Sequence, residues 1–412
     1  MERILAVKKV FPCMVAALGG LLFGFDTMVS AGAKPFYEPH FGIEALSWTS
    51  AFALSATVLG CIVGAVAFMR VPDRFGRKTA LVLSAAFFLA GSAGAAFASS
   101  VAMFIACRVV GGIGVGLASN ASPLYIAEMA PPEKRGAFVS VNQLTIVVGI
   151  MVAQLSNWTV FKLVADQSLN WRIMYGVEMA PAALILLMAF AIPESPVWID
   201  LRREKATKAA EGASGGWKGM GAVLALGIFL AFYQQWSGIN AVLYYAADIF
   251  RMAGFDISGA MVNQIVVGAV NLVSTVAAIF LVDRVGRWRL LLCGAGALAA
   301  LYAFLGCAYR FGISGVGVLV AVLGVVAAFG VTLGPVVWVV LAELYPARIR
   351  GTAMSISIVA LWVGCYTVAL SFPPISSALG AGGCFWLYAA VSFAAFFVMR
   401  RFVKESGGKS LG

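Results

Sequence analysis

The hexapeptide DRFGRK at residues 73–78 returns as DRVGRW at residues 283–288, an offset of 210 positions. Two further motifs repeat at similar offsets: AEMAPPEKRG from residue 127 returns as AELYPARIRG from residue 342, and PES around Glu194 returns as KES around Glu405. Three different motifs repeated at nearly one spacing indicate an internal duplication. The sequence therefore predicts two related halves.

The composition indicates a protein embedded in lipid. Of its 412 residues, 62% are hydrophobic and 11% are charged, and the mean hydropathy is +0.95. This is more apolar side chain than one water-soluble core can bury. A membrane-spanning helix needs about 20 apolar residues. On that measure the sequence predicts twelve spans, which begin near residues 11, 46, 79, 101, 137, 172, 218, 258, 289, 315, 351 and 382.

The predicted fold class is an all-α membrane protein with twelve transmembrane helices in two six-helix parallel repeats. Because six is even, both halves enter the membrane in the same orientation. With a cytoplasmic N-terminus, 23 of the 29 Lys and Arg residues fall on the cytoplasmic side, which predicts that both termini are cytoplasmic. The predicted domains are residues 1–192, a short cytoplasmic linker at 193–217 with a reduced intracellular helical region, and residues 218–412.

The sequence argues against several classes of function. It holds one histidine, His40, and seven cysteines without a CxxC pair, so we expect no metal site, no cofactor and no histidine-based catalysis. A non-enzyme is predicted. The net charge of +11 follows from the bias of basic residues to the cytoplasmic side, so no nucleic-acid partner is expected. GGIGVG (111–116) and GAGALA (294–299) lie in apolar spans and indicate close helix packing rather than nucleotide binding.

Polar side chains inside the predicted spans indicate a binding site. The densest set lies in FYQQWSGINAVLYY, residues 232–245, where Gln235, Asn240 and Tyr244 are spaced at about the helical period. Amides donate and accept hydrogen bonds at once, which suits a neutral polyhydroxylated ligand. Trp338 and Trp362 can supply a flat apolar wall for a sugar ring. The alternative interpretation is that the amides only join helices to one another.

Two isolated charges also lie deep in predicted spans: Asp26 in span one and Arg108 in span four. Either charge alone in hydrocarbon costs roughly 3 kcal/mol or more, so the two are expected to pair. The functional interpretation is a carboxylate that binds and releases a proton as the cavity changes sides. The structural alternative is a permanent ion pair that pins two helices.

The charged residues of the repeated loop motifs fall at predicted cytoplasmic helix ends. Exposed pairs contribute little stability, and each motif alone could be an ordinary positive loop. Their recurrence in both halves favours a latch whose acids and bases meet when the cytoplasmic side closes. The predicted latch residues are Asp73, Arg74, Arg77, Glu128, Arg135, Glu194, Asp283, Arg287, Glu343, Arg350 and Glu405.

These motifs resemble those of the sugar porters of the major facilitator superfamily over nearly the whole chain. The matching stretches include GGLLFGFD, DRFGRK, RVVGGIGVGLAS, PLYIAEMAPPEKRG, PESPVW, QQWSGINAVLYY and GPVVWVVLAELYPARIRG. The resemblance implies the major facilitator fold and a sugar site, with Tyr244 and Tyr245 in an extracellular gate. The implied sugar-site residues are Gln143, Gln234, Gln235, Asn240, Asn271 and Trp338, with Phe23 and Trp362 nearby.

The resemblance also implies a role for Asp26. Proton-coupled members of that family carry aspartate here, paired with the arginine of span four, whereas passive glucose facilitators carry asparagine. Asp26 and Arg108 are therefore expected to couple transport to protons, assisted by Glu178 as an additional buried acid. The predicted function is proton-coupled symport of a monosaccharide, hexose or pentose, by a functional monomer in the cytoplasmic (inner) membrane. The alternatives are a passive facilitator and a non-transporting sugar sensor.

The chain departs from the family pattern at four places. Ile150 stands where some symporters have a second sugar-binding glutamine, and Leu361 stands where an amide is usual. Trp288 replaces the second arginine of the usual GRR. The linker is much shorter than the family norm, which predicts a reduced intracellular helical bundle. The two missing amides leave the identity of the sugar open.

Overall fold

The computed structural model describes residues 2–67, 71–130, 135–208, 220–313, 315–345 and 350–402, which contain helices and no strand. The first half contains α1 (Glu2–Phe41), α2 (Trp48–Ala67), α3 (Val71–Phe75), α4 (Arg77–Ala96), α5 (Val101–Met129), α6 (Arg135–Leu163), α7 (Gln167–Ala191) and α8 (Pro196–Lys208). The second half contains α9 (Gly221–Trp236), α10 (Ile239–Tyr244), α11 (Ala246–Met252), α12 (Ile257–Val285), α13 (Arg287–Arg310), α14 (Val316–Val331), α15 (Leu333–Leu344) and α16 (Arg350–Phe402).

Eleven continuous stretches of the described chain are long and apolar enough to cross a membrane. The last of them, Thr352–Phe402, is long enough for two crossings. Gly380, at φ 71° and ψ 167°, interrupts α16 close to residue 382, where the twelfth span is predicted to begin. The prediction of twelve spans in an all-α fold is therefore confirmed. The α8 helix lies within the predicted linker.

The glycine of the repeated hexapeptide has the same backbone role in both halves. Gly76 precedes α4 at φ 106°, and Gly286 precedes α13 at φ 95°, a region that residues with a Cβ rarely adopt. A Cβ at Gly76 would also lie 2.0 Å from Oε2 of Glu194. The motif therefore needs glycine where one span turns sharply into the next.

Glycines also allow close contact between α5 and α2. A Cβ at Gly112 would lie 1.9 Å from the carbonyl oxygen of Thr57, and one at Gly116 would lie 2.2 Å from that of Cys61. Small residues at such spacing let helix backbones approach in a membrane. The interpretation of GGIGVG as a packing motif is therefore confirmed.

We expect Gly112→Ala to destabilise the first half by roughly 1–3 kcal/mol, because the added methyl group forces α2 and α5 apart. The measurement is the melting temperature of the purified protein in detergent. Gly111→Ala is the matched control, since a Cβ there would meet its neighbour, Gly91, at an ordinary 3.7 Å. Equal melting temperatures for the two variants would contradict this account of the packing.

Two spans of the second half are broken near the middle of the bundle. Span seven is divided into α9, α10 and α11, and span ten into α14 and α15. Gly238, at φ 89°, makes the first break; a Cβ there would lie 2.7 Å from the ring of Tyr388. The second break is at Thr332, just before Pro335, which has no N–H to donate. Broken helices leave backbone carbonyls that need other partners.

Candidate functional site

The two charges deep in the first half form a buried ion pair. Nη1 of Arg108 in α5 lies 2.5 Å from Oδ1 of Asp26 in α1, and Nη2 lies 3.3 Å from Oδ2. Arg108 is 3% exposed and Asp26 is 2% exposed. The pairing expected from the sequence is present, whereas the role assigned to it stays a prediction.

Ser30 and Tyr175 surround this pair, and sequence reasoning missed both. Arg108 donates a hydrogen bond to Oγ of Ser30, and the hydroxyl of Tyr175 donates to the same oxygen at 3.2 Å. The guanidinium carbon also lies 5.0 Å from the centre of the Tyr175 ring, a cation–π distance. The available signal was spacing: Ser30 lies one helical turn after Asp26, and Tyr175 lies three residues before Glu178.

Glu178 in α7 is the third charged group here. It is fully buried and interacts electrostatically with Asp26 and Arg108. Two acids thus share one base, and with both acids ionised the group would carry an unbalanced negative charge in a low-dielectric region, which is costly.

The predicted amides of span seven form a continuous hydrogen-bonded chain. Nε2 of Gln234 donates to the carbonyl oxygens of Leu333 and Gly334 at 3.0 and 2.9 Å. It thereby gives hydrogen-bond donors to backbone carbonyls at the break in span ten. Nε2 of Gln235 donates to Oε1 of Gln234 at 3.1 Å, and Asn240 donates to Oε1 of Gln235. The chain therefore links spans seven and ten.

Cys365 extends this chain and was not predicted from sequence. Its Sγ lies 3.3 Å from Nδ2 of Asn240 and 3.4 Å from the hydroxyl oxygen of Tyr244. A thiol is a weak donor and a weak acceptor, so the hydrogen bonds at this end of the amide chain are weak. The thiol lies three residues after Trp362, on the same face of α16.

One small cavity lies between the ion pair and Tyr244, at the end of this hydrogen-bonded chain. Phe23 of the first half and Trp362 of the second meet edge to face, with centroids 5.3 Å apart. The cavity volume is about 10 Å³, about the space of one water molecule. Ligand sites are typically roughly 300 Å³ or more, so a sugar requires the halves to move apart. The lining residues include Phe23, Asp26, Ser30, Cys61, Arg108, Tyr244 and Trp362.

Three predicted sugar-site residues lie outside this network. Within the described ranges, the hydrogen-bonded chain does not reach Gln143 in α6, Asn271 in α12 or Trp338 in α15. Asn271 is 7% exposed, and Oδ1 of this residue lies against Gly330 of α14. Gln143 and Trp338 are half-buried. Their predicted role stays a prediction.

The latch residues of the first half form one compact cluster. Nη2 of Arg77 lies 2.8 Å from Oε1 of Glu128, and Nη1 lies 3.0 Å from Oδ1 of Asp73. Oε1 of Glu194 accepts hydrogen bonds from the backbone N–H groups of Arg77 at 2.9 Å and Lys78 at 3.1 Å, at the start of α4. Acceptors at a helix N-terminus satisfy otherwise unpaired N–H groups.

The second half has a smaller counterpart of that cluster. Nη2 of Arg287 lies 3.3 Å from Oε1 of Glu343, and both side chains are partly exposed. In the first half, Arg74 is exposed, with its guanidinium over the ring of Phe75. The pairs described here lie within one half, and their meeting across the halves stays a prediction. Four predicted latch residues lie outside the described residues or side chains: Arg135, Asp283, Arg350 and Glu405.

The sequence of this chain is similar to that of one known family and to those of several known proteins. The sequence family described as "Sugar (and other) transporter" matches residues 12–220 and again residues 214–412. The D-xylose-proton symporter of Escherichia coli (strain K12) is 35% identical, over 97% of this chain and 93% of its own length. The glucose facilitated diffusion protein of Zymomonas mobilis is 34% identical, over 97% of this chain and 95% of its own length.

Solved structures show the same architecture. The xylose transporter XylE from E. coli, in a partially occluded inward open conformation, matches with a TM-score of 0.86 at 33% identity. The match covers 98% of this chain and 100% of that one. It confirms the predicted major facilitator fold with its two six-helix repeats.

Proposed function

The chain belongs to the family of sugar (and other) transporters, and from that premise we propose that it is a proton-coupled monosaccharide symporter. The substrate class is a hexose or pentose, and the cycle is alternating access between the two halves. Monosaccharide transport follows from the family and its relatives. Proton coupling is the finer part of the proposal.

The observation that carries this proposal is the composition of the central cavity. Asp26, Arg108 and Glu178 provide two acids and one base in the first half. Tyr244, linked to Asn240 through the thiol of Cys365, faces the same cavity from the second half. A proton and a sugar bound on opposite walls of one cavity can affect the same movement of one half relative to the other.

The mechanism we propose is a population shift. A proton on the Asp26–Glu178 pair removes the excess negative charge, and a sugar replaces the contacts among the amides. Together they stabilise an occluded state that either alone stabilises less. Arg108 stays charged throughout and holds whichever acid is ionised.

The topology and the remaining site residues complete the proposal. Both termini face the cytoplasm in the inner membrane, the linker spans residues 193–217, and the protein functions as a monomer. Gln143, Asn271 and Trp338 enter the sugar site when the halves separate. The latch clusters around Arg77 and Arg287 meet when the cytoplasmic side closes.

The test is transport in proteoliposomes, with a panel of pentoses and hexoses and simultaneous measurement of internal pH. We expect at least one sugar to accumulate against its gradient when the outside is acidic, with internal acidification that depends on that sugar. Empty liposomes provide the control. Absence of uptake for the whole panel would contradict sugar transport.

A passive facilitator is the second candidate. The observation that favours it is the tight coordination of Arg108 by Asp26 and Ser30, which suits a static ion pair. One relative carries the name of a facilitated diffusion protein. Sugar uptake that never exceeds equilibrium and moves no protons would identify this alternative.

A further inference from the structure

A second buried charged cluster joins the two halves at the end of the bundle predicted to be extracellular. Lys34 in α1 is 1% exposed. Its Nζ lies 3.1 Å from Oε1 of Glu38 and 2.8 Å from Oδ2 of Asp248. Glu38 belongs to α1, one turn further along, and also accepts a hydrogen bond from Ser50 of α2. Asp248 belongs to α11 of the second half, so one ammonium group bridges the halves.

The short helix that carries Asp248 begins beside the predicted gate tyrosines. Tyr245 immediately precedes α11, and its hydroxyl donates a hydrogen bond to the carbonyl oxygen of Ala369 at 2.7 Å. Nζ of Lys34 lies 5.6 Å from the centre of the Tyr245 ring. Lys34 thus contacts this segment at two places, the carboxylate of Asp248 and the ring of Tyr245. Tyr244, one residue earlier, lines the central cavity.

The two acids of this cluster behave differently when the halves move. Glu38 lies four residues from Lys34 on one helix and stays within reach in every arrangement of the halves. Asp248 reaches Lys34 when α11 lies against α1. A buried ammonium group without a partner is costly. Glu38 therefore lowers the cost of separating Lys34 from Asp248.

We propose that Lys34 is a positioning residue that holds α11 against α1 through Asp248, and so holds Tyr244 and Tyr245 over the cavity. Glu38 opposes this closure, because it stabilises Lys34 when the halves separate. The inference rests on the alternating-access cycle of the proposed function. It is independent of proton coupling and of the identity of the sugar.

The direct test measures the opening of this end of the bundle. Spin-labelled non-natural residues at the exposed positions 44 and 311 leave the native cysteines in place. Distance distributions between them, recorded without sugar or a proton gradient, report the open and closed populations. We expect Lys34→Met and Asp248→Asn each to raise the open-to-closed ratio by about tenfold.

Glu38→Gln is the discriminating control, because it is expected to shift the ratio the opposite way. With Glu38 neutral, Asp248 becomes the strongest partner that Lys34 has, and closure is favoured. Lys34→Arg keeps the charge and should retain most of the closed population. Unchanged distances in Asp248→Asn, or a shift towards opening in Glu38→Gln, would overturn the proposal.

A transport measurement separates positioning from simple loss of stability. A population shifted towards the open outer gate binds external sugar readily but closes slowly. Asp248→Asn should therefore lower the maximal uptake rate per folded protein about tenfold, with an unchanged or lower KM. A rate per folded protein equal to that of the wild type would contradict the role of Lys34. If proton coupling failed, the spin-label distances would be unaffected. The lower maximal rate with an unchanged or lower KM would also remain.

Discussion

Asp26→Asn is expected to abolish uphill sugar accumulation while sugar exchange across the membrane continues. The amide keeps the volume of the carboxylate but cannot release a proton in the relevant range. Arg108 would lose the carboxylate that it pairs with, and breaking a buried pair normally costs about 3–5 kcal/mol. Glu178 also interacts electrostatically with Arg108, so a second carboxyl group remains beside the arginine. We therefore expect the variant to fold.

The measurement combines uptake driven by an imposed proton gradient with exchange of labelled sugar at equilibrium. Asp166→Asn is the matched control, since Asp166 is an exposed acid that caps α7 away from the cavity. The double variant Asp26→Asn with Glu178→Gln leaves Arg108 without either acid and should lose about 3–5 kcal/mol of stability. Accumulation against a gradient by Asp26→Asn would remove this residue from the coupling mechanism.

Gln235→Ala is expected to weaken sugar binding by one to two orders of magnitude with little loss of stability. Removing one polar partner leaves a hydrogen-bonding group of the bound ligand unsatisfied, which weakens binding by roughly 1–3 kcal/mol. Gln235 is half-buried, and within the described residues its side chain bonds only to the side chains of Gln234 and Asn240. Loss of the Gln235 side chain leaves in place the hydrogen bonds by which Gln234 holds the break in span ten.

Binding is measured by calorimetry or tryptophan fluorescence on purified protein, together with the melting temperature. Gln234→Ala is the informative comparison, because Gln234 holds the carbonyls of Leu333 and Gly334. That variant should lose both sugar binding and stability. Unaltered affinity in Gln235→Ala would exclude this face of span seven from the site.

Hydropathy and repetition were sufficient to predict the architecture. The predicted starts near residue 46 for span two and near residue 101 for span four match α2 and α5 to within about two residues, because lipid imposes length and apolarity on each span. The breaks at Gly238 and Thr332 were not predicted, because a hydropathy pattern does not record where backbone carbonyls find side-chain partners.

The candidate site was predictable to the extent that its residues are unusual inside lipid. Asp26, Arg108 and the amides of span seven are conspicuous in apolar sequence, and they come together as ion pair and hydrogen-bonded chain. Ser30, Tyr175 and Cys365 are ordinary residues for a membrane helix, so only their neighbours in three dimensions distinguish them. Lys34 is not conspicuous in the sequence, because its burial against the other half depends on tertiary contact.

The side-chain amide of Gln234 has no donor left to offer. Both N–H groups are used by the carbonyls of span ten, and Oε1 retains acceptor capacity beyond its bond from Gln235. While that arrangement holds, a sugar bound as proposed would have to meet this position with a donating hydroxyl. A fluorine or ether oxygen in that place offers an acceptor to an acceptor, so stereochemistry alone does not determine which sugars are accepted.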